Sequence, residues 1–196
     1  KDLVYVKNNV SYLRKKLDSF LENNERFEKA SSGRTFFNFD AEMDRSFNRG
    51  YTDYFVNKRT ASIGSWDTPK SQGQVIGKVL EVKANGYVIE NSDKLNNGDG
   101  LFFINEKDEA DGTQINTVTN GIVIPNNYKH IKVGTMIYRN ADAEFNKLVE
   151  REDSAIRKIG ISLTFSETAT GFKLHAIDED GHTSTSTLEL SKEVSK

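Results

Sequence analysis

The first thirty residues of the chain carry apolar side chains at alternating steps of three and four. This spacing predicts an amphipathic helix from about Asp2 to about Lys29, with one buried face and a stop at the Ser-Ser-Gly run 31–33. The same spacing fits the a and d positions of a short coiled coil, so a dimer contact through this stripe is the alternative. The stripe consists of Leu3, Val6, Val10, Leu13, Leu17 and Phe20.

Between residues 72 and 140 the pattern changes to short runs of β-branched and aromatic residues bounded by Gly, Asn and Asp. Such runs predict antiparallel strands, and the Asn-Gly pairs 85–86 and 120–121 supply the positive-φ positions of hairpin turns. Six strands of this length favour a small closed barrel, because closure removes unpaired edges. The runs are 75–83, 87–90, 101–105, 113–118, 122–124 and 135–139.

The rest of the chain predicts a few further elements. Asn140 is a candidate N-cap for a helix over 141–152, and the phenylalanines near residue 37 predict a short extended segment. Alternating apolar and polar residues over 158–165, 172–177 and 183–190 predict a three-stranded meander. Its third strand is rich in Ser and Thr, which is typical of an edge, and we expect the remainder of that domain to follow Lys196.

Together these elements predict a fold that is mainly β with α, in the α+β class. The organisation we expect is a helix in 1–31, a connecting aromatic and basic segment in 32–71, a barrel in 72–140, a helix and linker in 141–157, and the start of a further β domain in 158–196. The chain begins at Lys1 with a helical pattern and no apolar signal region, so we interpret it as a piece of a longer protein.

Composition excludes several kinds of chemistry. The absence of cysteine excludes thiolate nucleophiles, Cys-type zinc sites and iron–sulfur ligation within the chain. Three scattered histidines, His130, His175 and His182, form no hydrolase or metal motif, and the acidic run 178–181 fits a turn better than a calcium loop. We therefore expect no catalytic residue, no metal and no cofactor in this segment.

Charge and hydropathy set limits on the partners. The chain has 27 Lys and Arg against 29 Asp and Glu, a net charge of −2, so a nucleic-acid contact needs a local basic patch. No apolar run approaches the ~20 residues that span a bilayer. We expect a cytoplasmic protein with no membrane partner.

One local cluster meets the requirement for a basic patch. Residues 45–70 contain five basic against two acidic side chains, a net charge of +3, interleaved with five aromatic rings. Such a surface binds phosphates and stacks bases, and the contacts we predict are Arg49, Tyr51, Trp66 and Lys70. The alternative is that the aromatic rings form a core and the basic residues a solvated rim.

The same region carries a resemblance to a known family. The runs 46–55 (SFNRGYTDYF), 67–70 (DTPK) and 77–79 (GKV), with the later 97–101 (NGDGL) and 133–140, resemble the central region of the collagenase-like peptidase U-32 family. The resemblance covers roughly residues 10–152. The stretch 72–140 is also similar to the small barrels of translation factors, which is an analogy of fold alone.

The family resemblance implies a larger protein in which a catalytic α/β barrel precedes this segment, with 10–18 similar to that barrel's last helix. Members are described as peptidases acting on collagen, or as proteins needed for hydroxylation of RNA bases that hold cysteine-bound iron–sulfur centres. No family catalytic residue can be placed on this chain. The resemblance therefore implies an accessory region that positions substrate, with RNA as the first choice. The alternatives are a protease region that adds an extended polypeptide to the strand 183–190, and a structural spacer or dimer contact.

Overall fold

The computed structural model describes residues 2–64, 66, 68–127, 129 and 131–190 of the chain. Its elements confirm a mainly β chain with α-helices. Three single 3-10 turns lie at Met43–Arg45, Ser92–Lys94 and Glu152–Ser154. In chain order the helices and strands are α1 (Leu3–Glu22), β1 (Arg34–Phe37), β2 (Gln74–Lys83), β3 (Gly86–Ile89), β4 (Gly100–Ile104), β5 (Ala110–Thr119), β6 (Ile122–Pro125), β7 (Met136–Ala141), α2 (Ala143–Glu150), β8 (Ala155–Lys158), β9 (Ile161–Thr168), β10 (Gly171–Asp178) and β11 (Thr183–Glu189).

Contacts divide the chain into two compact units, which are described separately. The first unit comprises the chain up to residue 16 together with 38–154, and the second comprises 17–37 together with the chain from residue 155 onward. The first unit contains the barrel and α2, whereas the second contains β1 and β8–β11.

The six strands β2–β7 close into an antiparallel barrel with the order β2-β3-β6-β5-β4-β7, as the sequence predicts. Closure needs a sharp bend in β2, where the pairing with β7 shifts register between Val75 and Gly77. Gly77 has φ 153°, and a Cβ added there would lie 2.5 Å from the Cβ of Glu90. Only glycine therefore fits this bend without displacing the neighbouring strand.

The barrel interior is filled by side chains that alternate along its strands. Tyr87 is completely buried, and its hydroxyl donates to the carbonyl of Lys129 and accepts from the Lys129 N–H at 3.0 Å. Its single polar atom is thereby satisfied inside an apolar core. The buried side chains of this core are Ile76, Val79, Tyr87, Ile89, Leu95, Leu101, Phe103, Ile115, Val123, Ile131 and Ile137.

A buried ionic network joins the barrel to α2. Asp142, which is almost completely buried, accepts from Arg139 of β7 at 3.0 Å and from Arg45 at 2.6 Å. Asp99, also buried, lies 3.4 Å from Arg139 and accepts from the N–H groups of Asn96 and Ala143 at 2.9 Å each. The residue that starts α2 is thus held by both the barrel and the turn at Met43–Arg45.

The N-cap prediction for this helix was wrong by two residues. Asp142, not Asn140, caps α2 by accepting from the Phe145 N–H at 3.0 Å, and the helix covers Ala143–Glu150 instead of 141–152. The reason is that β7 extends to Ala141, which pairs with Gly100 of β4 and keeps Asn140 in the sheet.

The helix α1 forms as predicted but is shorter and buries a different face. It ends at Glu22, because the Asn23 side chain bonds the Ser19 carbonyl at 2.7 Å and Asn24 accepts from the Arg26 N–H, which compete with continued helix. The predicted stripe from Leu3 to Phe20 is at least 42% exposed at every position.

The buried residues of α1 are instead Val4, Asn8 and Ser11. Asn8 donates to the Glu42 carbonyl at 2.7 Å and accepts from the Glu42 N–H at 3.1 Å, and the Lys7 ammonium donates to the carbonyls of Val149 and Arg151. Hydrogen bonds therefore decide which face of α1 packs on the first unit, and the prediction of a buried apolar stripe was wrong.

The second unit consists of two small sheets. The strand β1 pairs with β8, and β9, β10 and β11 form the predicted three-stranded meander in the order β11-β10-β9. The Ser- and Thr-rich β11 lies at an edge, as predicted. One face of this sheet carries exposed apolar side chains, including Ile161, Leu163 and Phe165, the last stacked on Phe172 at 5.2 Å between ring centroids.

Candidate nucleic-acid interface

The predicted contact residues lie in residues 47–70, which we call the aromatic loop. Its two ends are tied together: the Gln72 N–H donates to the Asn48 carbonyl at 2.8 Å, and the Asn48 N–H donates to Ser71 Oγ at 3.3 Å. The Asn48 side chain is buried and donates to the carbonyls of Asp44 and Ser46 at 3.1 Å each. The loop therefore projects from a fixed base, although its described residues form no helix or strand.

The rings of the aromatic loop face solvent. Trp66 is 86% exposed and Tyr51 is 61% exposed, and none of the five rings between Phe47 and Trp66 is buried. The alternative in which these rings form a core is therefore wrong. Exposed rings in one loop are unusual enough to indicate a contact surface, because burying them would otherwise stabilise the fold.

Three of the four predicted contacts adjoin one shallow depression of about 450 Å³. Arg49 and Tyr51 line it, together with Ser62 and Gly64. The Trp66 indole N–H donates to Ser62 Oγ at 3.4 Å, which holds the ring at the rim. Lys70 does not line the depression; it is exposed at the end of the loop, where its backbone N–H donates to Thr68 Oγ1 at 3.1 Å.

The Arg49 guanidinium is available to an anion. It lies 5.0 Å from the centroid of the Phe47 ring and, within the part of the chain that the structure describes, forms no ion pair with a carboxylate. A guanidinium over a ring keeps its donors directed outward, so it can bind a phosphate while the ring limits its motion. Asp67, the acidic residue of the predicted cluster nearest to Lys70, lies outside the described residues, as does His130.

The tip of the aromatic loop has a strained backbone. Tyr54 and Phe55 are consecutive non-glycine residues with φ of 51° and 80°, and their ring centroids lie 4.9 Å apart. Left-handed backbone at bulky residues costs about 1–3 kcal/mol per residue and is concentrated at functional sites. Neither residue is among the contacts predicted from the sequence, although both belong to the same aromatic run.

A second depression adjoins the first and was missed. It has a volume of about 370 Å³ and is lined by Tyr12, Glu42, Met43, Asp44 and Tyr51. Partial burial raises the pKa of the Tyr51 phenol, and the negative charge of Asp44 raises it further. Tyr51 therefore lines both depressions; Arg49 and Asp53 also line the first, and Glu42 and Asp44 also line the second. The sequence alone does not reveal this depression, because its lining residues come from three separate segments.

The acidic run near residue 180 forms a hairpin turn, as predicted. The Asp178 N–H donates to the His182 carbonyl at 3.0 Å, and Gly181 takes φ 85°. Carboxylates of Asp178 and Asp180 lie within 4.8 Å of a His182 ring nitrogen. Desolvation raises the pKa of Asp178, but the hydrogen bonds it accepts from His182 outweigh this and lower it overall. The hydrogen bonds of the turn therefore account for the close approach of Asp178, Asp180 and His182.

Comparisons with known proteins found one curated relative. The chain is 40% identical over 118 residues to the 23S rRNA 5-hydroxycytidine C2501 synthase of Escherichia coli strain K12, which is 60% of this chain and 18% of that protein. The chain thus spans less than a fifth of the length of the relative that it matches. No family profile and no solved structure matches the chain. Within the described residues, no helix is long and apolar enough to cross a bilayer.

Proposed function

The chain resembles the central region of the U-32 family, and we propose that it is a non-catalytic accessory region that positions RNA for a catalytic domain elsewhere in its protein. The exposure of the aromatic loop, together with an Arg49 guanidinium that forms no ion pair with any described residue, is the observation that carries this proposal. The name of the relative, an rRNA-modifying synthase, supports RNA as the substrate class.

The four proposed contacts have two chemical roles, phosphate binding and base stacking. Arg49 and Lys70 bind phosphates, which supplies affinity without sequence selection. Unpaired bases stack on the rings of Tyr51 and Trp66, and each stacked base contributes about 1–3 kcal/mol to the binding of a single strand. Because the net charge of the chain is −2, the local net charge of +2 within the aromatic loop, four basic against two acidic side chains, directs RNA to this surface.

The exposed stripe of α1 supports a second part of the proposal, contact with the catalytic domain. Leu3, Val6, Val10 and Leu13 all face solvent on the part of α1 that belongs to the first unit. A row of large apolar side chains on one helix face is typical of a surface that packs against another domain. The short share of the relative that the chain covers is consistent with such a domain. If the stripe were instead a dimer contact, the solution mass of the isolated chain would be twice that of the monomer.

The test of the RNA proposal is the salt dependence of binding to single-stranded RNA. We expect the logarithm of the association constant to fall linearly with the logarithm of the salt concentration. Arg49→Gln and Lys70→Gln should each reduce the magnitude of this slope by about 0.7. Lys107→Gln is the matched control, because Lys107 is an exposed lysine on the β4–β5 hairpin, and it should leave the slope unchanged. Absent binding at low salt, or slopes equal in all three variants, would overturn the proposal.

A second candidate function rests on the edge strand β11. Among the described strands it pairs with β10 alone, and all seven of its residues are exposed. An extended polypeptide could add to this edge through backbone hydrogen bonds. In that case a collagen-like peptide, and not RNA, would change the amide chemical shifts of β11.

A further inference from the structure

The depression lined by Tyr12, Glu42, Asp44 and Tyr51 is unsuited to phosphate. Its two carboxylates repel anions, whereas its two phenol rings offer flat surfaces. With a volume of about 370 Å³, it lies at the lower end of the range of small-ligand sites and accommodates a single nucleobase. The chemistry of the lining therefore selects an aromatic ligand with hydrogen-bond donors.

Asp44 is the group in this depression that most needs a donor. Its carboxylate is half-buried and, within the described chain, has neither an ion-pair partner nor a side-chain hydrogen bond. Glu42, by contrast, lies 3.9 Å from the Arg45 guanidinium. Asp44 and Tyr51 line the same depression, and the negative charge of Asp44 raises the pKa of Tyr51. A ligand N–H that reaches Asp44 would satisfy a partly desolvated acceptor.

The position of Tyr51 links this depression to the phosphate-binding side of the site. Tyr51 lines both depressions, whereas Arg49, two residues earlier, lines only the larger depression of about 450 Å³. The Lys16 ammonium lies 5.5 Å from the centroid of the Tyr12 ring and adds a cation beside the same depression. A nucleotide can therefore place its phosphate at Arg49 and its base between the phenols, with the base edge directed to the carboxylates.

We propose that this depression reads one unpaired nucleobase of the bound RNA and selects bases that present an exocyclic amino group, such as cytosine, over uracil. The inference rests on the proposed RNA-binding function. A carboxylate only accepts hydrogen bonds, so it pairs with the N4 amino group of cytosine and repels the O4 carbonyl of uracil.

The experiment compares the binding of fluorescently labelled hexacytidylate and hexauridylate to the 196-residue chain at fixed salt and pH 7.5. We expect the cytidine oligomer to bind about tenfold more tightly, in line with the lower half of the range for one base contact. Asp44→Asn should reduce this ratio to about one, because an amide both donates and accepts. Asp108→Asn, the same change at an exposed hairpin position, is the control and should keep the tenfold ratio.

Arg49→Gln distinguishes this inference from the function on which it rests. It should weaken the binding of both oligomers equally and keep the preference for cytidine. Binding without a cytidine preference, or a preference that survives Asp44→Asn, overturns the base-reading site alone. Failure of both oligomers to bind at low salt overturns the RNA function and the base-reading site together.

Discussion

Replacing Asp142 with alanine tests whether the buried ionic network holds the first unit together. The change removes the N-cap of α2, which costs about 1 kcal/mol, and removes the carboxylate that Arg45 and Arg139 share. Arg139, which is 6% exposed, then keeps only Asp99 at 3.4 Å as a carboxylate neighbour among the described residues. Breaking a buried ion pair from one side costs about 3–5 kcal/mol, and the two effects overlap, so we expect a total loss of about 3–5 kcal/mol.

The assay is thermal unfolding followed by circular dichroism. At about 2–4 °C per kcal/mol for a chain of this size, the melting temperature of Asp142→Ala should fall by roughly 6–20 °C. Asp142→Asn keeps the cap and loses the charge, so its melting temperature should lie between those of the alanine variant and the parent chain. Asp40→Ala removes an exposed ion pair with Lys15 and is the control. A loss in Asp142→Ala no larger than that in Asp40→Ala would refute the reasoning.

Two further predictions concern the bend of the barrel and the phenol between the two depressions. Gly77→Ala should destabilise the chain by roughly 1–3 kcal/mol in urea unfolding, because a Cβ there clashes with Glu90 and the φ is strained, whereas Gly160→Ala should have little effect. In an ultraviolet titration, the Tyr51 phenol should ionise above pH 10 because its pKa is raised by burial and by Asp44. Asp44→Asn should lower that pKa, and an unchanged titration would contradict the placement of the two groups.

The same phenol has a consequence for stability at high pH. Its pKa is raised in the folded chain, so the folded state binds the phenolic proton more tightly than the unfolded state does. Stability from this group is therefore complete below pH 10 and decreases as the pH rises through the raised value.

The barrel could be predicted from the sequence because its signals are local. Each strand is a short run rich in β-branched and aromatic residues, and Asn-Gly pairs such as 85–86 mark hairpin turns. The helix α1 was predicted for the same reason, but its packed face was not. Polar contacts of Lys7 and Asn8 with distant residues decide that face, and no periodic pattern contains them.

At the candidate site, too, features within one segment could be predicted and features formed by distant segments could not. Arg49, Tyr51, Trp66 and Lys70 could be predicted as contacts because they share one segment. The carboxylate depression was missed, because Tyr12 comes from α1 while Asp44 and Tyr51 come from a different part of the chain. Only the folded arrangement brings them together.

The most direct test of RNA contact uses Trp66, since the chain contains one tryptophan and its ring is exposed in the aromatic loop. Titration with single-stranded RNA should quench its fluorescence in a saturable manner, and should protect it from acrylamide, because stacked bases cover the indole. RNA binding is measured independently with a labelled oligomer. If the RNA binds but leaves both the emission and the acrylamide quenching of Trp66 unchanged, that result would contradict the assignment of RNA to this loop.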